Sequence, residues 1–232
     1  MATFTASMDG SSRERNEATE KFQEDLNAFV KAYPKSEHAA DALMQLALYS
    51  EVNATSDRDR EKAVEYYEEV IARFGDTKAG ARAQGAKVRL TCIGKELNFT
   101  GSTPSKQKFD LSNKALRGRV VVIHYWTTSC ETCVADFDEL LRLKSKYKGD
   151  LVIVGANLDE ELPKMEAFLK KNDKFDWPQL YAEGGTFGSE LAIQLGITTL
   201  PLTLLIDQDG KVVETGVVVS ELDRDIQNLL DK

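Results

Sequence analysis

Hydrophobic and polar residues follow a helical period over the first part of the chain. In one segment the apolar residues recur at the spacing of a single helix face: Phe22, Leu26, Phe29, Val30 and Tyr33. Ser36 and Thr77 are expected to cap two further helices, and either Asp57 or Asp59 is expected to cap another. This pattern predicts four helices over residues 13–93.

An internal repeat runs through these predicted helices. The segments 29–42 (FVKAYPKSEHAADA) and 70–83 (VIARFGDTKAGARA) align, and each passes from a helix through a turn into an alanine-rich helix. The region resembles tetratricopeptide-like helical hairpins, which implies either a surface for a protein partner or a helical appendage packed on the main domain. The small polar residues 1–12 before it are predicted to form a disordered tail.

From Lys95 onward, apolar runs alternate with helical stretches. The runs 120–126 (VVVIHYW) and 151–158 (LVIVGANL) are continuous, as in strands that are buried on both faces. Helices are expected after them over residues 131–147 and 162–171. This order of elements predicts a parallel β-α-β core.

Two hairpins and a final helix complete the pattern. Phe99 and residues 109–111 flank a polar turn segment and are expected to form a hairpin. Strands 202–206 and 211–215 are joined through Asp209-Gly210 as a second hairpin. A short helix ends at Gly196, and residues 221–231 close the chain as a helix. We therefore predict an α/β fold over residues 94–232, with a central mixed sheet flanked by helices, after an all-α helical-hairpin domain.

Composition narrows the possible partners. The 232 residues carry a formal net charge of −8, so neither a nucleic acid nor an anionic membrane surface is an expected partner. No apolar run approaches the roughly 20 residues of a membrane span. Residues 1–8 are too polar for the core of a signal peptide, so either the protein stays in the cytoplasm or the sequence begins after a removed targeting segment.

The strongest chemical signal is the pair Cys130 and Cys133, spaced C-x-x-C at the predicted start of a helix. The unpaired N–H groups and the positive end of the helix dipole favour a thiolate there, below the free thiol pKa of about 8.5. Cys133 lies one turn later and is placed to attack a mixed disulfide formed at Cys130. This arrangement predicts thiol–disulfide exchange.

The cysteine pair has two other interpretations. A zinc site needs four ligands, and the chain offers only Cys92, His38 and His124 besides the pair. A purely structural disulfide is the second alternative. Cys92, among apolar neighbours, is expected to be a buried free thiol, with a regulatory thiol as the alternative. We predict no metal and no cofactor.

The segment VVVIHYWTTSCETC and the later segment LGITTLPLTLLIDQDGKVV resemble the two hallmark segments of thioredoxin-like proteins. The preceding FTGSTPSKQKFDLSNKALRGR resembles the N-terminal hairpin of the TlpA/ResA branch and related redoxins. Over residues 95–232 the resemblance implies a thioredoxin-like fold and a protein-disulfide reductase activity, with protein thiols and disulfides as substrates and an upstream thiol protein as electron donor.

The resemblance also implies roles for individual residues. Cys130 would be the nucleophile and Cys133 the resolving thiol, and Pro201 would be the cis-proline that faces them. The backbone at Thr199 and Leu200 would pair with an extended substrate. The alternative for Pro201 is a trans-proline that merely opens a strand.

Three further residues have a functional and a structural interpretation. Trp126 would pack beneath the active-site loop and contribute to substrate binding, or serve as a core aromatic residue. His124 falls where thioredoxins carry a buried acid that handles the proton of the resolving cysteine, or it is a hydrogen-bonded core histidine. Glu160 matches the place of an active-site glutamate in ResA-type proteins, with Asp159 or Glu161 as neighbouring alternatives and a solvated helix start as the structural interpretation.

These observations lead to one main hypothesis and two alternatives. The main hypothesis is a thiol–disulfide oxidoreductase that reduces protein disulfides in the periplasm or at a membrane, if an export segment has been removed, and otherwise in the cytoplasm. The first alternative is a thiol peroxidase of the redoxin group, with Thr127 beside the cysteine. The second is a helical-repeat binding protein whose redox domain acts as a sensor.

Overall fold

The structure is a computed structural model that describes residues 12–231. The predicted tail over residues 1–12 therefore lies outside the described residues, apart from Ser12. The chain divides into two compact units, residues 1–83 and residues 84–232.

Four helices occur where the sequence pattern predicts them: α1 (Ser12–Ala32), α2 (Glu37–Val52), α3 (Asp57–Phe74) and α4 (Lys78–Thr91). The hydroxyl of Ser36 caps α2, and the hydroxyl of Thr77 accepts a hydrogen bond from the N–H of Gly80 at the start of α4. The expected cap of α3 was wrong. Ser56 is the N-cap, and Asp59 is the third helical residue, which completes a capping box with it.

The first unit is held together by small and medium apolar residues. Five alanines of α2 and α3 are almost fully buried, which lets the two helices approach closely: Ala39, Ala40, Ala42, Ala47 and Ala63. Larger side chains fill the spaces between them: Leu43, Leu46, Tyr67 and Val70. This packing accounts for the alanine-rich pattern of the internal repeat.

The second unit is built on a five-stranded sheet with the order β5-β4-β3-β6-β7. Its strands are β3 (Val120–Trp126), β4 (Leu151–Asn157), β5 (Gln179–Tyr181), β6 (Leu202–Ile206) and β7 (Val212–Thr215). Strands β3, β4 and β5 are parallel, whereas β6 is antiparallel to both β3 and β7. The predicted mixed sheet is confirmed.

The remaining elements of this unit lie around the sheet. A separate hairpin joins β1 (Thr100–Ser102) to β2 (Lys108–Asp110). The helices are α5 (Glu131–Lys146), α6 (Leu162–Lys171), α7 (Glu190–Ile193) and α8 (Leu222–Leu230). Among residues 12–231, no helix has both the length and the apolar character that crossing a membrane requires.

Side chains of β3 alternate between two apolar clusters, one on each face of the sheet. Val120, Val122 and Trp126 belong to the cluster that includes residues of α5 and α8. Val121, Ile123 and Tyr125 belong to the cluster that includes Phe99 and residues of α7. Burial on both faces explains the continuous apolar run of this strand.

Candidate active site

The cysteine pair lies where β3 passes into α5. Cys130 is the N-cap residue of α5, and the N–H of Cys133 donates to its Sγ at 3.2 Å. The Thr132 hydroxyl also contacts that sulfur, at 3.4 Å. Free N–H groups and the dipole at this helix end stabilise negative charge, so the surroundings of Cys130 favour a thiolate when the pair is reduced.

Cys130 and Cys133 form a disulfide in the structure. Cys133 is fully buried in the apolar cluster that includes residues of α5 and α8, whereas Cys130 is partly exposed. An incoming thiolate therefore has access to the sulfur of Cys130 and not to that of Cys133.

The segment before β6 lies at the same end of the sheet. Tyr125 pairs with Leu202, so one further step of the antiparallel register places Pro201 opposite Trp126. The peptide bond between Leu200 and Pro201 is cis, and Pro201 is exposed. Leu200 packs against the apolar cluster that also contacts Cys130. The exposed Thr199 precedes it, so the predicted substrate-binding residues lie together.

Trp126 is fully buried beneath this end of the sheet. Its Nε1 donates to Oε1 of Gln179 at 2.9 Å, and its ring lies 4.8 Å from that of Phe137 in α5. Gly155 makes the hydrogen bond possible, because a Cβ at that position would lie 1.9 Å from Oε1 of Gln179. Sequence reasoning missed this contact because β5, which carries Gln179, was not predicted.

His124 lies on the α5 side of β3 and is 1% exposed. Its Nε2 is 3.3 Å from the backbone oxygen of Cys133, and its Nδ1 is 2.9 Å from the hydroxyl of Thr203. Burial lowers the pKa of His124 to about 4, although the hydrogen bond to Cys133 opposes this shift. The histidine is therefore neutral at physiological pH and contacts the backbone of Cys133.

Asp159 and Glu160, two acids that follow β4, differ in burial and in their contacts. The carboxylate of Asp159 is buried and accepts from the backbone N–H and the hydroxyl of Thr128, at 3.0 and 2.8 Å. It thus fixes the loop that leads to Cys130. Glu160 is exposed, its carboxylate lies 3.5 Å from the Thr186 hydroxyl, and its backbone oxygen accepts from Tyr181. Asp159, which the sequence offered only as an alternative, is the acid that contacts the active-site loop.

Asp136 is an acid that sequence reasoning missed. It lies three residues after Cys133 in α5, so both side chains project from the same side of the helix. Burial raises the pKa of Asp136, and among the described residues its half-buried carboxylate has no hydrogen-bond or ion-pair partner. The i, i+3 spacing from Cys133 was the available signal, but neighbouring Asp138 and Glu139 gave the segment the pattern of a solvated helix face.

The third cysteine has different surroundings. Cys92 is 4% exposed and free, and its Sγ donates to the backbone oxygen of Arg89 at 3.2 Å. Burial raises the pKa of the Cys92 thiol. The expected buried free thiol is confirmed.

Comparison with known proteins gives a consistent result. The profile of one family, Redoxin, matches residues 79–230. Thiol-disulfide oxidoreductase ResA of Bacillus thuringiensis subsp. konkukian is 32% identical over 124 residues, which cover 53% of this chain and 68% of that protein. Thiol:disulfide interchange protein DsbE of Haemophilus influenzae is 27% identical over 144 residues, or 61% and 76% of the two chains.

A solved structure shows the same fold. The thiol-disulfide oxidoreductase from Bacteroides fragilis NCTC 9343 superimposes with a TM-score of 0.51 at 27% identity, covering 57% of this chain and 97% of that one. The similarity therefore extends over nearly all of that solved chain.

Proposed function

The chain belongs to the redoxin family and is a thiol–disulfide oxidoreductase, and from this premise we propose that Cys130 and Cys133 reduce protein disulfides. The observation that carries the proposal is the difference in access between the two sulfurs. Cys130 is partly exposed at the start of α5, whereas Cys133 is buried one turn behind it.

In the proposed reaction, the Cys130 thiolate attacks one sulfur of a substrate disulfide. A mixed disulfide forms, and the first substrate sulfur leaves as a thiolate that takes up a proton. The Cys133 thiolate then attacks Sγ of Cys130, which breaks the mixed disulfide and releases the second substrate thiolate. The substrate gains two electrons and two protons, and the enzyme ends in the disulfide form that the structure shows. An upstream dithiol protein restores the reduced form.

Substrate binding is proposed for the segment before β6. The exposed backbone at Thr199 and the partly buried Leu200 offer edge groups to an extended substrate beside the sulfur of Cys130. Pro201 has no N–H and therefore cannot donate a hydrogen bond to the substrate backbone, so this role falls to the residues before it. Trp126 is proposed to pack beneath the active-site loop, and its hydrogen bond to Gln179 holds its ring in place.

Proton transfer at the resolving cysteine is proposed for the neighbouring acids. Glu160 lies after β4 at the same end of the sheet, whereas His124 contacts the backbone oxygen of Cys133 and is proposed to hold that residue in position. Asp136 has the strongest support as the acid, because it lies one turn from Cys133 and is half buried with a raised pKa.

A single-turnover experiment tests the proposed function. The reduced protein is mixed with an excess of a peptide that contains one intramolecular disulfide, and intact masses are followed with time. We expect a transient adduct at Cys130, then a Cys130–Cys133 disulfide and one reduced peptide per protein molecule. Adducts at Cys133 or at Cys92, or no reduction of the peptide, would contradict the proposal.

We further propose that the enzyme works outside the cytoplasm. Its similarity to TlpA/ResA-type proteins supports this location. Fractionation of the source cells tests it with an antibody against residues 84–232. Recovery of the protein with the extracytoplasmic fraction is expected, and recovery in the cytosol alone would contradict the proposed location.

The helical region over residues 13–93 is proposed to contact a protein partner of the exchange reaction. A groove of about 450 Å³ lies between the two repeat turns of the first unit, and Lys35, Phe74 and Lys78 line it. The test captures mixed disulfides in cells with a Cys133→Ser variant, with and without Lys35→Glu and Lys78→Glu. Fewer captured proteins are expected with the two charge reversals, and none should be lost with Lys62→Glu. An unchanged set would contradict this proposal.

A further inference from the structure

A hydrogen-bonded pair of polar side chains is buried on the face of the sheet that packs against α5. His124 on β3 and Thr203 on β6 are directly opposite in the antiparallel register, and each is 1% exposed. Their neighbours on this face of β3 are Val122 and Trp126. Polar groups in such surroundings cost stability unless every one is hydrogen-bonded, so the contacts of the pair define what it can do.

The contacts assign the tautomer of His124. The backbone oxygen of Cys133 can only accept, so the imidazole Nε2 that faces it must carry the hydrogen. In a neutral ring Nδ1 then has a free lone pair, and the hydroxyl of Thr203 donates to it at 2.9 Å. The only basic nitrogen of the ring therefore points toward β6 and away from the cysteine.

Thr203 is itself held in place. Its backbone oxygen accepts from the N–H groups of Gly216 and Val217, at 2.8 and 3.1 Å. Its strand begins at Leu202, directly after Pro201. A continuous set of hydrogen bonds therefore joins the strand that starts beside Pro201 to the backbone of Cys133 in the first turn of α5.

We propose that Thr203 and His124 act as positioning residues, which hold the Cys133 backbone through a fixed Nε2–H tautomer so that its sulfur is aligned with Cys130. This inference rests on the proposed exchange reaction and assigns His124 a donor role. In the first step the attacking sulfur is that of Cys130, and the pair contacts the carbonyl oxygen of Cys133 and not the N–H that donates to that sulfur. In the second step the Cys133 sulfur must approach Sγ of Cys130, so the position of the first turn of α5 matters.

Valine and serine at position 203 provide a matched pair of variants. Thr203→Val keeps the shape and loses the hydroxyl, whereas Thr203→Ser keeps the hydroxyl. In a Cys133→Ser background we expect formation of the mixed disulfide at the wild-type rate for both. With both cysteines present, we expect Thr203→Val to slow its resolution about tenfold, the effect of one lost hydrogen bond, and Thr203→Ser to restore it to within about twofold.

The tautomer can be observed directly because the chain has only two histidines. The imidazole nitrogens of a ¹⁵N-labelled sample give one set of signals each for His38 and His124, and a His38→Gln sample assigns them. We expect the Nε2–H pattern for His124 in the wild type and in Thr203→Ser. We expect loss of that single pattern in Thr203→Val.

The outcomes separate this inference from the proposed function. If the wild type forms no mixed disulfide at Cys130, the proposed function fails. If the wild type resolves the mixed disulfide and Thr203→Val does so equally fast, the positioning role is overturned while the proposed function stands. An Nδ1–H pattern for His124, or equal slowing of both steps by Thr203→Val, would also overturn the positioning role.

Discussion

Two parts of the second unit hold cysteines at opposite ends of helices. Cys130 caps the start of α5, where its sulfur accepts a hydrogen bond from a backbone N–H. Cys92 follows the last residue of α4, where its thiol donates to a backbone oxygen. The positive helix end stabilises a thiolate, whereas the carbonyl end and burial stabilise the protonated thiol. Position in the fold, and not residue type, therefore decides which sulfur reacts.

Replacing Cys130 should have the largest effect on the rate of disulfide reduction. Cys130→Ser removes the nucleophile, and we expect the rate of disulfide reduction to fall by about a thousandfold or more. Single-turnover reduction of a disulfide peptide measures it. Exchange through Cys92 or Cys133 at the wild-type rate would contradict the claim that Cys130 is the reactive cysteine.

Replacing the buried partner should stop turnover in a different way. Cys133→Ser leaves the attack by Cys130 intact, so we expect a mixed disulfide with the substrate that persists because nothing resolves it. Intact mass and non-reducing gels measure the adduct. If the variant turned over substrate like the wild type, Cys133 would not be the resolving thiol.

The surroundings of Cys133 should also make stability depend on pH. The pKa of His124 falls from 6.5 to about 4 on folding, so the unfolded chain binds a proton more readily below pH 6.5. The stability contribution of the neutral ring is complete above pH 6.5 and declines as the pH falls toward 4. Between pH 7 and pH 4.5 we expect a loss of about 2–3 kcal/mol that is absent in His124→Gln.

Urea unfolding of both proteins at the two pH values measures this loss. The difference between the proteins isolates His124 from carboxylates, which titrate in both. Equal losses in the two proteins would show that the histidine is not buried in its neutral form.

The substitution Asp136→Asn should raise the stability of the protein and lower its activity. Burial raises the pKa of Asp136, so Asp136→Asn removes an unfavourable buried charge and should raise the free energy of unfolding at pH 7. We expect the same change to slow resolution of the mixed disulfide by about tenfold, because a proton-transfer group is lost. Asp138→Asn, at an exposed position on the same helix, is the control. Unchanged resolution in Asp136→Asn would leave this acid without a role.

The smallest effect is expected at the third cysteine. Cys92→Ala removes a buried sulfur, so we expect a loss of about 1 kcal/mol in the free energy of unfolding. Exchange should proceed at the wild-type rate, as single-turnover reduction can measure. Slower exchange would mean that the two cysteine regions are coupled.

The sequence predicted four of the five strands of the sheet and missed the three-residue β5. β3 and α6 were predicted with the bounds that the structure gives, because each has a clear apolar period or a continuous apolar run. β5 was missed because its three residues follow Pro178 and are too few to show a period. The cap of α3 was misplaced because Ser56 and Asp59 share a capping box, and either residue type can serve as a cap.

The parts of the site that depend on local sequence were predicted. The C-x-x-C spacing and the helix start identified Cys130 and Cys133, and resemblance identified Pro201. Contacts made through the fold were not visible in the sequence. The bonds from Thr203 to His124 and from Asp159 to Thr128 join residues 79 and 31 positions apart.

The most direct test is the rate of alkylation of each cysteine in the reduced wild-type protein as a function of pH. Peptide mass mapping after brief exposure to iodoacetamide separates the three positions. We expect Cys130 to react first, with an apparent pKa below the free value of about 8.5, while Cys133 and Cys92 stay protected. First reaction at Cys92 or Cys133, or a Cys130 thiol that titrates at or above the free value, would contradict this expectation.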